Sequence, residues 1–169
     1  MTPSKRIIKE LELILCEPIP NVTLWINPTN LKVWHFIITG LGSPYFNGEY
    51  VCRLEITETY PTEPPVFIVE TPNGRFATGL PLCINNFVSN PERWKPEWTL
   101  DSLIRAFLIY FQSICYRGQN VGNNIIAVKA EKLALALNSK HYNLTHHQTL
   151  LDKIKNKTEI TIQNHHQIR

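Results

Sequence analysis

Apolar residues recur at helical spacing near the start of the chain. Over residues 4–15, "SKRIIKELELIL", Ile7, Leu11, Ile14 and Leu15 share one face of a 3.6-residue repeat, which predicts an amphipathic helix. Ser4 is the expected N-cap, and Pro18 and Pro20 end the helix. The pattern then changes. "VTLWIN" (22–27), "VWHFIITGL" (33–41) and "YVCRLEIT" (50–57) are short, rich in β-branched and aromatic residues, and separated by the turn "PTNL" and the loop "SPYFNGEY". They read as strands. In "ETYPTEPPVFIVET" three prolines forbid a helix and leave "VFIVE" as a fourth strand. Residues 72–98 show no periodicity. An irregular span of that length inside a domain usually carries function. From Thr99 onward Leu100, Leu103, Ile104, Phe107, Leu108, Phe111 and Ile114 define a second, strongly amphipathic helix. Gly118 and Gly122 interrupt the chain, and a further helix is expected over about 123–137, with Ala130, Leu133, Ala134 and Leu137 on its apolar face. "NSKHYNLTHHQ" is then expected as a linker, "TLLDKIKNK" as a short helix and the last ten residues as loose chain. The order predicts an α+β fold: a four-stranded antiparallel meander with an N-terminal helix, a central helix and C-terminal helices. We expect a core domain over residues 1–140 and a basic, His-rich extension over 141–169.

Composition narrows the class without choosing a function. The 169 residues, 43% of them hydrophobic, suffice for one domain with a core of its own. The net charge of +3 is uneven: residues 129–169 hold seven Lys/Arg against three acids, and five of the six histidines. A solvated tail is the simpler account, and no nucleic-acid partner is expected. No apolar run follows a basic start, and no stretch reaches the length of a membrane span, so neither a signal peptide nor a membrane anchor is expected. That favours a cytoplasmic location. Cys16, Cys52, Cys83 and Cys115 are far apart and form no C-x-x-C pair, which argues against a zinc site and against a disulfide framework. Cys16, Cys52 and Cys115 read as small buried hydrophobes.

Cys83 stands apart, in the irregular stretch "TPNGRFATGLPLCINNF" followed by "NPERWKPEW". A thiol on a loop can be reached by a partner, and a thioester survives water yet yields to amines, so Cys83 suits the carriage of an activated acyl group. Attack on such a thioester creates an oxyanion, which a fixed amide donor stabilises by roughly 3–4 kcal/mol. Asn73, ten residues earlier, is the candidate donor; the alternative is a loop Asn that only holds backbone. Arg75 is the nearest cation, and five of the six histidines lie beyond residue 140, which makes a Cys-His hydrolase the poorer reading.

"GLGSPYFNGEY", "YPTEPP" (60–65), "TPN" (71–73), Cys83 and "WKP" (94–96) occur in one order before the central helix. Over residues 4–137 the chain thereby resembles the ubiquitin-conjugating enzymes, and most of all their J class, whose members end in a membrane anchor of the kind not expected here. The resemblance implies that Cys83 accepts ubiquitin from an activating enzyme and passes it to a substrate protein with a ubiquitin ligase. No metal or organic cofactor is implied. It places Lys5, Arg6 and Lys9 against the activating enzyme, Thr62 and Pro96 against the ligase, and Asn85, Gly118 and Asn120 around the incoming acceptor. Many members carry acids where this chain has Asn85 and the Gly118 region, which leaves room for hydroxyl acceptors. Pro61, Pro64 and Pro65 are expected to fix a turn, and Trp94 and Trp98 to pack over the catalytic loop. The alternatives are a non-catalytic module that binds ubiquitin or a partner, and an enzyme for a ubiquitin-like modifier.

Overall fold

The structure is a computed structural model that describes residues 3–82, 94–113, 128–156 and 160–162. Four strands, β1 (Val22–Ile26), β2 (Val33–Ile38), β3 (Tyr50–Glu55) and β4 (Val66–Val69), form the expected antiparallel meander. A two-residue strand, β5 (Pro81–Leu82), extends it beside β4, and β6 (Ile160–Ile162) pairs with β1 at the opposite edge. The spatial order is therefore β5-β4-β3-β2-β1-β6. The expected loose end is corrected at β6: Ile160–Ile162 belong to the sheet.

Period-two alternation gives the sheet two different faces. Leu24, Ile26, Trp34, Phe36, Ile38, Tyr50, Cys52, Leu54, Phe67 and Val69 are buried in the main core. Helix α1 (Pro3–Cys16) adds Ile7, Leu11 and Ile14 to that core, and α2 (Leu100–Gln112) adds Leu100, Leu103, Ile104, Phe107 and Phe111. Thr99 caps α2, its hydroxyl accepting from the Ser102 amide while Ser102 reaches back to the Thr99 amide. The other face carries Trp25, Ile37 and Val51, covered by Ile154 of α4 (Gln148–Lys155), with Leu150 and Leu151 alongside.

Several expectations change. Ser4 is not the cap of α1, because the helix already includes Pro3, whose fixed φ suits a first turn. Leu15 and Cys16 are exposed, since the buried stripe runs through Ile7, Leu11 and Ile14 and these two positions fall on the outer side of the last turn. Cys52 is buried as expected, and burial pushes its thiol up. Ile114 and Cys115 lie outside the described residues. The expected linker is helical: α3 spans Lys129–His146 without a break. Its buried residues are Ala136, Ser139 and Asn143, whereas Leu133 and Leu137 are 41% and 66% exposed.

Candidate active site and the surface beside it

The strand β4 runs out into a loop, Thr71 to Phe76, that leads towards Cys83. Every polar side chain in its first half is committed. The Thr71 hydroxyl accepts from the Val51 amide at 2.9 Å and lies 2.6 Å from Asn143 Oδ1, to which it donates. Asn143 Nδ2 donates to the Glu49 carbonyl at 2.9 Å. Ser139 accepts from the Glu49 amide at 2.9 Å and donates to Ala136 O at 2.7 Å. The polar face of α3 thus clamps this loop and the start of β3. Burying those groups costs free energy unless each is paired, and here each is.

Asn73 is 1% exposed. Its Nδ2 donates to Thr71 O at 3.0 Å and to Phe76 O at 3.3 Å, and its Oδ1 accepts from the amides of Arg75 and Phe76 at 2.8 and 2.7 Å. That fills the bonding capacity of the side chain. Gly74 turns the chain at φ 74°, a region that favours glycine. Arg75, also buried, bonds through Nη1 to Ser113 O at 2.6 Å and through Nη2 to Ser113 Oγ at 3.0 Å. Its guanidinium lies 4.6 Å from the Tyr110 ring centre. Ser113 is the C-cap of α2, so this cation meets the negative end of the helix. The loop is therefore pinned to α3 through Thr71 and to α2 through Arg75. The chain then enters β5, whose Leu82 is buried and immediately precedes Cys83. Cys83 and Asn85 lie outside the described residues, as do Gly118 and Asn120. An open cleft of about 430 Å³ separates the loop, at Pro72, Asn73, Gly74, Phe76 and Thr78, from α3 at Glu131, Ala134 and Leu135.

The remaining predicted residues gather at the α1 end of the molecule. Lys5 and Lys9 are exposed on α1, and Thr62 and Pro96 are exposed on two loops. Arg6 is half-buried: it pairs with Glu10 and donates to the carbonyls of Pro96 and Trp98 at 3.1 and 3.2 Å. Trp94 Nε1 donates to Pro61 O at 2.6 Å, and the Trp94 ring stands between Tyr60 and Trp98, at centroid distances of 6.1 and 5.9 Å. Among the described residues Trp94 thus packs on the proline turn with Trp98 behind it, and the two loops bearing Thr62 and Pro96 are joined. Glu10, Arg75 and the Thr71–Asn143 pair were not singled out as structural. Glu10 alone left a signal, as an acid three residues from Ile7 on the apolar stripe of α1. Among the described residues no group of three or more His, Cys, Asp or Glu side chains is placed to hold a metal ion, and no helix is long and apolar enough to cross a membrane.

Comparison with known proteins agrees with this architecture. A sequence profile described as "Ubiquitin-conjugating enzyme" matches residues 6–114. "Ubiquitin-conjugating enzyme E2 6" of Kluyveromyces lactis is 32% identical over 141 residues, covering 83% of this chain and 55% of that protein. "Ubiquitin-conjugating enzyme E2 J2-like" of Dictyostelium discoideum is 31% identical over 139 residues, covering 82% of this chain and 79% of that protein. The chain thus spans little more than half the length of the Kluyveromyces relative. A ubiquitin-conjugating enzyme of Plasmodium falciparum has the same fold, with a TM-score of 0.57 at 23% identity over 68% of this chain and 87% of that one. The chain belongs to the ubiquitin-conjugating enzyme family.

Proposed function

We propose that the protein is a ubiquitin-conjugating enzyme in which Cys83 carries the modifier. The Cys83 thiolate attacks the thioester held by the activating enzyme; a new C–S bond forms at Cys83 and the activating enzyme's thiolate leaves. An acceptor nucleophile on the substrate then attacks the same carbonyl, with a ubiquitin ligase holding the two together, and Cys83 departs as thiolate. The observation that carries this reading is the family match over residues 6–114, which encloses Cys83 and the loop that leads into it. Asn73 has both amide hydrogens in use, and the longer bond, 3.3 Å to Phe76 O, is the one an oxyanion would compete for. We therefore assign it two duties: it holds the loop, and it lends that N–H to the oxyanion. Lys5, Arg6 and Lys9 meet the activating enzyme, and Thr62 and Pro96 meet the ligase, with Arg6 acting also as a tie between α1 and the Pro96 loop. Asn85, Gly118 and Asn120 border the acceptor. Residues 1–140 make up the catalytic core and 141–169 an extension; the two meet inside α3, whose Asn143 still reaches Thr71 of the site loop. A thiol that must stay reduced suits a cytoplasmic setting. The test is charging: activating enzyme, ATP and ubiquitin should give a thiol-reducible adduct that Cys83→Ala abolishes. No adduct with ubiquitin, but one with a ubiquitin-like protein, would redirect the modifier. No adduct with either would overturn the enzyme.

A further inference from the structure

Glu10 is 2% exposed, yet it is an acid on the buried stripe of α1. Oε2 accepts from Tyr60 Oη at 2.8 Å and from the Leu100 amide at 2.7 Å; Oε1 accepts from Tyr60 Oη at 2.9 Å and from Arg6. One carboxylate thus joins three elements far apart in sequence: α1, the turn after β3, and the first turn of α2. Each partner suits an anion. Arg6 is a cation. The Leu100 amide is one of the unpaired donors at the positive end of a helix. Burial and the nearby Glu10 charge push the Tyr60 phenol up, so it stays protonated and donates.

These bonds belong to a closed circuit. From Glu10 it passes to Tyr60, from Pro61 O to Trp94 Nε1 at 2.6 Å, along the chain to the Pro96 and Trp98 carbonyls, and through Arg6 back to Glu10. Thr62, Pro96, Lys5 and Lys9 are exposed around it. Glu10 and Tyr60 are its buried members, Arg6, Pro61, Trp94 and Trp98 are half-buried and Pro96 is exposed, so the circuit runs from the core to the surface and ties the exposed residues to Glu10.

We propose that Glu10 is the positioning residue of the docking surface: it fixes the proline turn and the Trp94–Trp98 segment against α1 before a partner protein arrives. The proposal rests on the functional reading above, which supplies the partners. A preorganised surface does not lose loop entropy on binding, whereas a loosened one must be ordered at that moment. The effect of losing Glu10 therefore falls on association and not on the chemical step.

Glu10→Gln tests it. Gln keeps the size but offers one acceptor oxygen in place of two, and presents an NH2 group among donors. In charging assays with activating enzyme and ubiquitin, KM for this protein should rise about tenfold, worth ~1.4 kcal/mol, while kcat changes by less than about twofold. Hydrogen exchange should quicken at Thr62 and Trp98, whose amides bond to Thr59 O at 2.8 Å and Lys95 O at 3.0 Å, and stay unchanged at Val51 in the sheet. Tyr60→Phe, which removes one arm, should give a smaller change of the same kind and serves if Glu10→Gln does not fold. Glu12→Gln, an equal charge change at an exposed site on α1, should do neither. Unchanged KM, unaltered exchange at Thr62 and Trp98, or the same shift from Glu12→Gln would each overturn the proposal. Wild-type protein that is never charged would instead overturn the functional reading, while the exchange measurement still decides whether Glu10 sets the loops.

Discussion

At the scale of single residues, Asn73 and the acid-free positions Asn85 and 118–120 make the sharpest claims. Asn73→Ala removes four hydrogen bonds and leaves two buried amides, Arg75 and Phe76, without their acceptor. An unsatisfied buried donor costs about 1–3 kcal/mol, so chemical denaturation should show a loss of about 2–4 kcal/mol. Asn73→Asp keeps the acceptor and loses the donors. It keeps the Arg75 and Phe76 amides paired but sets an oxygen against the Thr71 and Phe76 carbonyls, so it should also lose stability, and it should discharge thioester to acceptors more slowly than wild type. Equal discharge by Asn73→Asp and wild type would leave the side chain with its loop role alone. The acceptor question follows from proton bookkeeping. A lysine amine is about 99.9% protonated at neutral pH, given a reference pKa of about 10.4, and neither Asn85 nor the "GQN" segment at 118–120 offers a carboxylate to take the proton. A serine or threonine hydroxyl is already neutral. Without a ligase, the Cys83 thioester should therefore react with free serine or threonine at least as readily as with free lysine. Clear preference for lysine, with no hydroxylamine-sensitive ester, would sink that expectation; Asn85→Asp should raise lysine discharge if the reasoning is sound.

At the scale of elements, α3 explains most of what the sequence did and did not disclose. The meander and α2 were legible because their buried positions are apolar and keep strict periods of 2 and 3.6. The helix α3 violates the assumption behind such readings. It buries Ala136, Ser139 and Asn143 and turns Leu133, Leu137 and Leu144 outwards, so a search for apolar periodicity picks the wrong face and ends the helix at Leu137. Its true end depends on Asn143 meeting Thr71 and Glu49, contacts 72 and 94 residues away, which no local pattern encodes. The short strands β5 and β6 escaped for a related reason: two or three residues carry no periodicity, and each exists through pairing with a distant edge. In the candidate site, the Tyr-Pro turn and the order of the motifs were legible as types, whereas the bond between Trp94 and Pro61 was not. A direct check on α3 compares two substitutions. Asn143→Leu strands the Thr71 hydroxyl and the Glu49 carbonyl in a buried place and should cost about 2–4 kcal/mol in urea denaturation. Leu137→Gln, at an exposed site, should stay within about 0.5 kcal/mol of wild type. The reverse ranking would mean that the leucine face is the buried one.

At the scale of the whole molecule, α4 lies over the outer face of the sheet, and we expect that contact to weaken in acid. His35, on β2, lies half-buried beneath it. It faces Trp25 from β1 at 5.4 Å between ring centres, Arg53 from β3, and His147 and Lys153 from the α4 region. Arg53 is itself paired with Glu55 and Glu70 at 3.0 and 3.2 Å, and Lys153 sits 4.9 Å from the Trp25 ring centre. Burial first, and then the surrounding positive charges, lower the His35 pKa from 6.5 to about 4. Between those two values the unfolded chain binds a proton that the folded chain refuses. Stability is therefore full above about pH 6.5 and falls as pH drops towards 4. Screening by the solvent that reaches this half-buried ring reduces the effect, leaving about 1 kcal/mol lost between pH 7.5 and pH 5 through this group. His35→Gln removes the titration and should flatten that part of the profile. Urea denaturation of both proteins at the two pH values measures it. Hydrogen exchange of the α4 amides at pH 5, corrected for intrinsic rates, should show that α4 opens more readily in the wild type, because the charge builds up directly beneath it. If both proteins lose stability in parallel and α4 stays equally protected, His35 is not the acid-sensitive contact, and the lost stability must come from groups elsewhere in the fold.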